Sequence, residues 1–372
     1  MCIRTANYYR QDQIIEHNKN EIKAAWNSSS FFSCYFYAYK ALEALKDTYG
    51  RVHDYLRISL LERCNLRCTY CMPEEGIQLR DRAEFMTQEE LLKIASTFVS
   101  LGVKKIRLTG GEPLLKKNFS EILKGLSALP VELAITTNAI LLDKYIEDLK
   151  AAKISKLNIS LDSLNEDRFN LISRRKQFQR IWKNIQLALD HKFHIKLNVV
   201  LMKGTNDDEI IDFIKLSEHA AIDIRFIEFM PFNGNKWEWD KKVSFDQILA
   251  TVERHYGPQN VIQETTPPNS TSKNFRIRNF LGNFGIISTL TNPFCDTCNR
   301  IRLTADGKIK NCLFSNSESD LLSALRNGQD LRPIIVENIL NKKEKRSGIT
   351  SFEAEESKAL FEQNRSMTTI GG

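Results

Sequence analysis

The chain has 372 residues, with 53 Lys and Arg against 46 Asp and Glu, and a formal net charge of +7. This length can bury a sizeable core and suits two domains. The modest basic excess is compatible with nucleic-acid binding, but a nucleotide pocket explains it equally well, and no window is long and apolar enough to predict a membrane span.

Residues 1–44 form an N-terminal extension of unknown role. Its most apolar segment, residues 31–37, is far shorter than the about 18 residues of a transmembrane span, and it starts too late for a usual signal peptide. We interpret the extension as a packing arm or as the product of an upstream start. An amphipathic anchor and a partner-binding segment are the alternatives.

Three cysteines, Cys64, Cys68 and Cys71, follow the first predicted strand. Iron-sulfur clusters are held by cysteine thiolates, four in a fully ligated cluster. Three therefore predict a four-iron, four-sulfur cluster with one iron open to a substrate or cofactor. Structural zinc is the alternative, but it takes four ligands, and no histidine or further cysteine lies near this triplet.

Apolar segments typical of β-strands alternate with helical patterns up to residue 229. The predicted strands are residues 55–60, 105–109, 131–136, 156–161, 195–201 and 222–229. The helix at residues 87–100 opens with a capping box formed by Thr87 and Glu90. Six βα units imply a parallel sheet. Because a full TIM barrel has eight such units, residues 45–233 are expected to form an incomplete (βα)6 TIM-like barrel of the α/β class.

Composition shifts past residue 233, where we predict a small C-terminal α+β domain at residues 234–340. It would contain a helix at residues 245–255 and strands at 274–279 and 284–290. Trp237 and Trp239 are interpreted as interface packing. Composition alone predicts disorder for the tail, residues 341–372, and its basic run at residues 342–346 is interpreted as a solvated face.

Cys295, Cys298 and Cys312 form a second triplet. A C-x-x-C pair alone fits a redox motif, a zinc site or a cluster. Three ligands again predict a second cluster with an open iron, carried by the C-terminal domain. The alternative is a zinc site completed by one of the remaining candidates, which are His255, Cys2 and Cys34.

Two arginines, Arg300 and Arg302, follow the C-x-x-C pair. Alternation along an extended segment places both guanidinium groups on one face. Arginine forks match phosphate bidentately, so the pair predicts an anion site. A solvated strand face is the competing interpretation.

Several motifs resemble those of the radical S-adenosylmethionine (SAM) superfamily. Residues 63–73 are similar to its cluster loop, and residues 110–113, Gly-Gly-Glu-Pro, match its GGEP motif. The second triplet with the adjacent Asn-Arg-Ile-Arg, and the closing Thr-Ile-Gly-Gly, resemble the GTP 3′,8-cyclases that begin molybdenum cofactor biosynthesis. This resemblance runs from about residue 45 to the C-terminus.

The resemblance implies a set of ligands for each site. Each cysteine triplet would hold one cluster. SAM would be contacted by Tyr70, Gly111, Ser160 and Met230. GTP would be contacted by Arg57, Arg107, Thr136, Lys196, Arg300, Ile301 and Arg302. The catalytic residues would be Arg57, Arg300, Arg302, Gly371 and Gly372. Relatives usually have Asn-Gly where this chain has Asn138-Ala139, so the shape of that turn is expected to differ slightly.

The resemblance further implies a lyase that converts GTP to (8S)-3′,8-cyclo-7,8-dihydroguanosine 5′-triphosphate through a 5′-deoxyadenosyl radical. Its cofactors would be two [4Fe-4S] clusters and SAM. Its partners would be a low-potential electron donor (flavodoxin-like or a chemical reductant), a downstream cyclic pyranopterin monophosphate synthase and a second copy in a homodimer. Neither nucleic acid nor a membrane is expected as a partner. Because thiolate clusters need reducing conditions, we predict a cytoplasmic protein.

Two other functions stay open. One is a peptide-modifying radical SAM maturase, although such relatives usually carry longer cysteine-rich C-terminal regions than this one. The other is a non-enzymatic zinc or RNA-binding protein that uses the cysteines structurally.

Overall fold

The structure is a computed structural model that describes residues 44–371, apart from positions 74, 79, 236, 353 and 354. The predictions for residues 1–43, which include Cys2 and Cys34, and for Gly372 concern positions outside the described residues. Leu45–Gly372 form one compact unit.

Six parallel strands follow one another across the sheet in chain order. They are β1 (Tyr55–Ser59), β2 (Lys105–Thr109), β3 (Glu132–Thr137), β4 (Lys156–Ser160), β5 (His194–Leu201) and β6 (Ile222–Glu228). Each strand lies within about one residue of its predicted bounds. Most of their apolar side chains are buried, as expected for a parallel sheet covered by helices.

Helices connect these strands and confirm the predicted βα alternation. They are α1 (Gln88–Ser100), α2 (Phe119–Ser127), α3 (Ile146–Ala151), α4 (Glu166–Ser173), α5 (Phe178–Asp190) and α6 (Ile210–Lys215). The first helix buries Leu91, Ile94, Ala95 and Phe98, a spacing that places them on one face. In the described part of the chain, no helix combines the length and apolarity needed to cross a bilayer.

Strands from the last third of the chain extend the same sheet at both edges. They are β7 (Val261–Gln263), β8 (Lys273–Ile277), β9 (Phe284–Ile287), β10 (Arg300–Leu303), β11 (Lys308–Lys310) and β12 (Ser319–Asp320). Strand β10 pairs in parallel with β1, and β9 pairs in parallel with β6. Within the described residues β7 and β12 do not pair, so the barrel is open, as predicted. The domain boundaries at residues 233 and 340 stay predictions.

The predicted disorder of the tail is wrong, because helices lie within it. Three helices precede the tail: α7 (Phe245–Tyr256), α8 (Leu321–Arg326) and α9 (Leu331–Leu340). Two lie within it: α10 (Glu355–Gln363) and α11 (Met367–Ile370). Arg365 bonds both carboxylate oxygens of Asp306 at 3.0 and 2.8 Å and Glu318 at 2.7 Å. Composition counts such charges but does not show that they are paired.

An apolar cluster also ties the tail to the rest of the chain. Phe352 and Phe361 of the tail stack with ring centroids 5.2 Å apart, and Phe352 contacts Phe314 at the same distance. Trp237 and Trp239 belong to this cluster and meet edge to face at 5.8 Å. The two tryptophans therefore have the packing role that the sequence predicts.

Replacing Thr87 with alanine should lower the free energy of unfolding by about 1 kcal/mol. Thr87 Oγ1 accepts a hydrogen bond from the Glu90 amide at 3.3 Å, and the Glu90 carboxylate accepts one from the Thr87 amide at 2.8 Å. The matched control is Thr97→Ala on the same helix, where the hydroxyl only donates to the carbonyl of Lys93 and a change within about 0.5 kcal/mol is expected. Urea unfolding measures both variants, and equal losses would contradict the capping role.

Candidate active site

All six cysteines of the two triplets line one cavity of about 300 Å³. The cavity lies at the carboxyl ends of β1–β6, where catalytic motifs of parallel barrels are found. The predicted shared cavity is therefore present. Among the described residues, no group of three or more His, Cys, Asp and Glu side chains could hold a single metal ion. His255 packs against Tyr256 and does not line the cavity, so it completes no zinc site.

The chemistry of the first trio fits a cluster. Burial raises the pKa of the Cys64 thiol to about 11, and the charge of Glu112 adds to this shift. Burial likewise raises the pKa values of Cys68 and Cys71. Thiolates in such a dry loop are disfavoured unless a cation offsets their charge. Cys64 Sγ already accepts from the amide of Leu66 at 3.4 Å.

The second trio lies beside cations. Although burial by itself raises the pKa of the Cys298 thiol, the charges of Arg300 and Lys342 lower it to about 6. Lys342 belongs to the run interpreted from sequence as a solvated face. That interpretation is wrong for this residue, which is only 4% exposed. A buried cation beside buried thiols makes the second trio suited to an anionic metal-thiolate group.

Gly110 and Gly111 let the end of β2 approach the first cysteine loop closely. A Cβ at Gly111 would lie 2.3 Å from the carbonyl oxygen of Arg63, and one at Gly110 would lie 2.6 Å from that of Leu61. The Gly111 amide donates to the Leu61 carbonyl at 2.7 Å. The glycines therefore fit the protein's own backbone, while Gly111 also lines the cavity.

The predicted SAM contacts all line the cavity, namely Tyr70, Gly111, Ser160 and Met230. The Tyr70 hydroxyl donates to Asp162 Oδ2 at 2.8 Å, and Asp162 Oδ1 accepts from the amide of Val200 at 2.9 Å. Burial raises the pKa of Asp162 to about 6. Sequence reasoning missed Asp162 as a site residue, although its place just past the end of a predicted strand was a usable signal.

Glu112 of the GGEP motif is a buried carboxyl at the same end of the sheet. It accepts hydrogen bonds from the Thr137 hydroxyl and the Asn138 amide, both at 2.7 Å. Burial raises the pKa of Glu112 to about 7. Its bonds tie the loop after β2 to the end of β3.

The turn at Asn138-Ala139 keeps a backbone conformation that glycine favours. Ala139 has a φ of 63° and is fully buried. Asn138 Oδ1 accepts from the amide of Ile140 at 3.1 Å, which closes the turn locally. The alanine thus occupies the left-handed region, at a backbone cost of about 1 to 2 kcal/mol.

Arginines from three adjacent strands stand side by side. Strand register pairs Arg57 of β1 with Arg302 of β10 on one side and with Arg107 of β2 on the other. Burial lowers the pKa of Arg57. Burial and the charges of Arg57 and Arg300 lower the pKa of Arg302 to about 9. Like charges are therefore gathered on adjacent strands.

The predicted substrate residues divide into two groups. Those that line the cavity are Arg57, Thr136, Arg300 and Arg302. The others are not among its lining residues. Arg107 is bonded to the Tyr55 hydroxyl, Lys196 pairs with Asp223 at 2.6 Å, and Ile301 is fully buried in the core. Direct contact of these three with a nucleotide stays a prediction.

The tail reaches the wall of this cavity. The carbonyl of Gly371 accepts a hydrogen bond from Arg302 Nη1 at 2.8 Å. Gly371 has a φ of 86°, and a Cβ there would lie 2.8 Å from Thr109 Oγ1 and 2.9 Å from Ser59 Cβ. Glycine fits this position without strain or clash.

Sequence reasoning missed Arg225 of β6, which also lines the cavity. Burial and the charge of Arg107 lower the pKa of Arg225 to about 10. In the amide orientation that satisfies both partners, the Asn158 oxygen accepts from Arg107 and Arg225 at 3.3 Å each. The available signal was a charged residue between Ile224 and Phe226 in a predicted buried strand.

Some of these arginines retain unused donors. Arg57 Nε and Arg300 Nη2 are buried without a hydrogen-bond partner among the described residues. Buried donors in native proteins are normally bonded. A ligand with many acceptor oxygens, such as a polyphosphate, would satisfy them.

Comparison with known proteins identifies two families along the chain. The Radical SAM superfamily matches residues 58–217, and Molybdenum Cofactor Synthesis C matches residues 222–348. The chain is 44% identical over 336 residues to the mitochondrial GTP 3′,8-cyclase of Arabidopsis thaliana, which covers 89% of this chain and 84% of the relative. It is 42% identical over 338 residues to the GTP 3′,8-cyclase of Listeria welshimeri, and the aligned region covers 89% of this chain and 100% of the relative.

Other similar proteins are longer or more distant. Molybdenum cofactor biosynthesis protein 1 of Drosophila melanogaster is 46% identical over 284 residues, which are 76% of this chain but 50% of the relative. The chain thus spans about half the length of that protein. Streptococcus suis SuiB bound to S-adenosylmethionine has a TM-score of 0.60 at 16% identity, over 96% of this chain and 79% of that chain. This likeness shows the fold alone.

Replacing Gly111 with alanine should prevent metal loading of the first trio, because the new Cβ would collide with the Arg63 carbonyl. The comparison is made in a background where the second trio is changed to serine, so that iron reports on the first trio alone. In that background, Gly111→Ala should lower the iron content from about four atoms per chain to less than about one. Gly125→Ala is the matched control, since its Cβ meets only the flexible end of Leu92. Iron and sulfide analysis after anaerobic reconstitution measures both, and full loading of the Gly111 variant would refute the steric argument.

Proposed function

The chain belongs to the GTP 3′,8-cyclase family of the radical SAM superfamily, and on that premise we propose that it converts GTP to (8S)-3′,8-cyclo-7,8-dihydroguanosine 5′-triphosphate. This is the first step of molybdopterin biosynthesis. The proposal rests on the cavity lined by two cysteine trios and by arginines of adjacent strands. Thiolate trios suit metal clusters and guanidinium groups suit a polyphosphate.

Radical SAM membership implies SAM and one [4Fe-4S] cluster, which Cys64, Cys68 and Cys71 would hold. When bound, this pair supplies the 5′-deoxyadenosyl radical that takes hydrogen from C3′ of GTP before the sugar closes onto C8. The chain would position SAM with Tyr70, Gly111, Ser160 and Met230. Tyr70 is itself oriented by its bond to Asp162, which fixes the ring beside the cysteine loop.

We place a second [4Fe-4S] cluster on Cys295, Cys298 and Cys312. When bound, the cluster would supply an iron able to bind the purine edge of GTP. The adjacent Arg300 and Arg302 would bind phosphate oxygens. The support is that both arginines and all three cysteines line the same cavity.

The remaining cations would clamp the triphosphate. Arg57 and Arg225 line the cavity on strands β1 and β6. Arg107 would orient Thr136, because its Nη1 donates to Thr136 Oγ1 at 3.3 Å. Lys196 would balance the charge of Asp223, with which it pairs at 2.6 Å. The 5′-deoxyadenosyl radical would attack any nearby C–H bond, so the substrate must be held in place. Positioning of this kind is worth up to ~7 to 11 kcal/mol.

The finer partners and the compartment are part of the same proposal. We propose a flavodoxin-like or chemical low-potential reductant, a downstream cyclic pyranopterin monophosphate synthase and a homodimer. We also propose a reducing compartment, the cytoplasm. The relative from Arabidopsis thaliana is named as a mitochondrial protein.

The proposal is tested by anaerobic incubation of the reconstituted chain with SAM, dithionite and GTP. We expect 5′-deoxyadenosine and a cyclised nucleotide to form only when GTP is present. A peptide-modifying maturase would form 5′-deoxyadenosine without regard to GTP. Zinc in place of about eight irons and eight sulfides per chain would support the non-enzymatic zinc or RNA-binding protein.

Replacing Arg302 or Arg225 with methionine should weaken GTP binding by at least about tenfold. A charge-assisted hydrogen bond contributes about 1.5 to 3 kcal/mol, and about 1.4 kcal/mol is tenfold in affinity. Arg278→Met is the matched control, because it removes the same charge from an exposed position. Anaerobic calorimetry with GTP measures all three, and unchanged affinity in the two cavity variants would reject their phosphate role.

Deleting Gly371 and Gly372 should reduce GTP turnover strongly while both clusters remain. The deletion removes the carbonyl that accepts from Arg302, so this guanidinium loses its fixed orientation. Turnover and iron content are measured on the same sample. Normal turnover with full iron would show that the tail end has no part in the reaction.

A further inference from the structure

Lys342 is a buried ammonium group that contacts the second trio. Its Nζ donates to Cys298 Sγ at 3.4 Å and to the carbonyl of Arg300 at 3.2 Å. The side chain of Lys342 is almost fully enclosed. A lysine in such a place is unusual, because burying a charge is costly unless an opposite charge compensates it.

No carboxylate provides that compensation directly. Among the described residues, no Asp or Glu oxygen lies within ion-pair distance of Lys342 Nζ. Of the groups that Lys342 Nζ contacts, which are Cys298 Sγ, the carbonyl of Arg300 and His53 Nδ1, the Cys298 thiol is the one that can carry a negative charge. The site is therefore built so that an anionic metal-thiolate group balances the lysine.

A histidine holds the ammonium group from its other side. His53 Nδ1 lies 3.5 Å from Lys342 Nζ, and His53 Nε2 lies 3.0 Å from Asp47 Oδ2. Burial and the charge of Lys342 lower the pKa of His53 to about 4, so the imidazole is neutral. A neutral ring that donates from Nε2 to Asp47 presents its Nδ1 lone pair to Lys342.

An arginine fixes the segment that carries the lysine. Arg51 Nη2 donates to the carbonyl of Lys343 at 2.9 Å, and Arg51 Nη1 donates to the carbonyl of Cys295 at 3.0 Å. Arg51 Nε in turn pairs with Asp47 at 2.6 Å. These hydrogen bonds of Arg51 therefore connect the start of the tail and the first cysteine of the second trio to residues that precede β1.

We propose that Lys342 is a positioning residue of the second cluster, and that its N–H···S bond to Cys298 raises the reduction potential of that cluster. The inference rests on the second cluster of the proposed function. Reduction adds negative charge to the cluster, and a fixed ammonium group beside a ligand sulfur stabilises the reduced form. Hydrogen bonds to sulfur and local charge are established determinants of cluster potential.

The test is the potential of the second cluster in the full chain with Cys64, Cys68 and Cys71 replaced by alanine. We expect Lys342→Met to disfavour reduction at least about tenfold, which is about 59 mV for a one-electron couple. Lys342→Gln keeps an N–H donor without the charge, and its shift should be smaller. Lys343→Met is the matched control: it removes the same charge from the next, exposed residue and should leave the potential unchanged.

Redox titration followed by electron paramagnetic resonance gives the potentials. An unchanged potential in Lys342→Met, or an equal shift in Lys343→Met, would overturn the inference. If the methionine variant loads no iron, the glutamine variant decides, and an unshifted potential there would overturn it. Failure of the unsubstituted second trio to load any cluster would overturn the second cluster of the proposed function together with this inference, which is a distinguishable result.

Discussion

The packing of guanidinium groups on adjacent parallel strands is the constraint on which the rest of the site depends. Register holds Arg302, Arg57 and Arg107 on one face, where like charges repel more strongly than they do in water. The Tyr55 hydroxyl and the carbonyl of Ile135 offset part of this repulsion. The positive potential that remains attracts anions. An anion that entered the cavity would reduce this repulsion.

The continuous sheet explains why two distant cysteine motifs share this cavity. Cys295 and Cys298 precede β10 directly, and Cys312 follows β11. Strand β10 lies beside β1, and β1 leads into the first cysteine loop. The separation of the two trios is therefore set by backbone pairing. Backbone hydrogen bonds across β10 and β1 therefore fix the two trios relative to each other.

Local patterns in the sequence predict most of the fold and part of the site. Strands, the Thr87 capping box and the cysteine motifs are local, and they appear where predicted. Burial and register are not local, so the sequence did not show that Lys342 is enclosed or that Arg365 is paired with carboxylates. For the same reason it did not separate Arg57, which lines the cavity, from Arg107, which is not among the lining residues. Arg225 could have been predicted as a site residue, because a charged residue stands there in a predicted buried strand.

The position of β10 also has a consequence for biosynthesis. Tyr55 pairs with Arg300, so β1 gains its second neighbour only after roughly 245 more residues have been made. At ordinary translation rates this takes on the order of ten to fifty seconds. During that interval the nascent chain presents an open strand edge next to three thiols, a combination exposed to aggregation and oxidation. The order of synthesis thus leaves the early cysteines unprotected before the late ones exist.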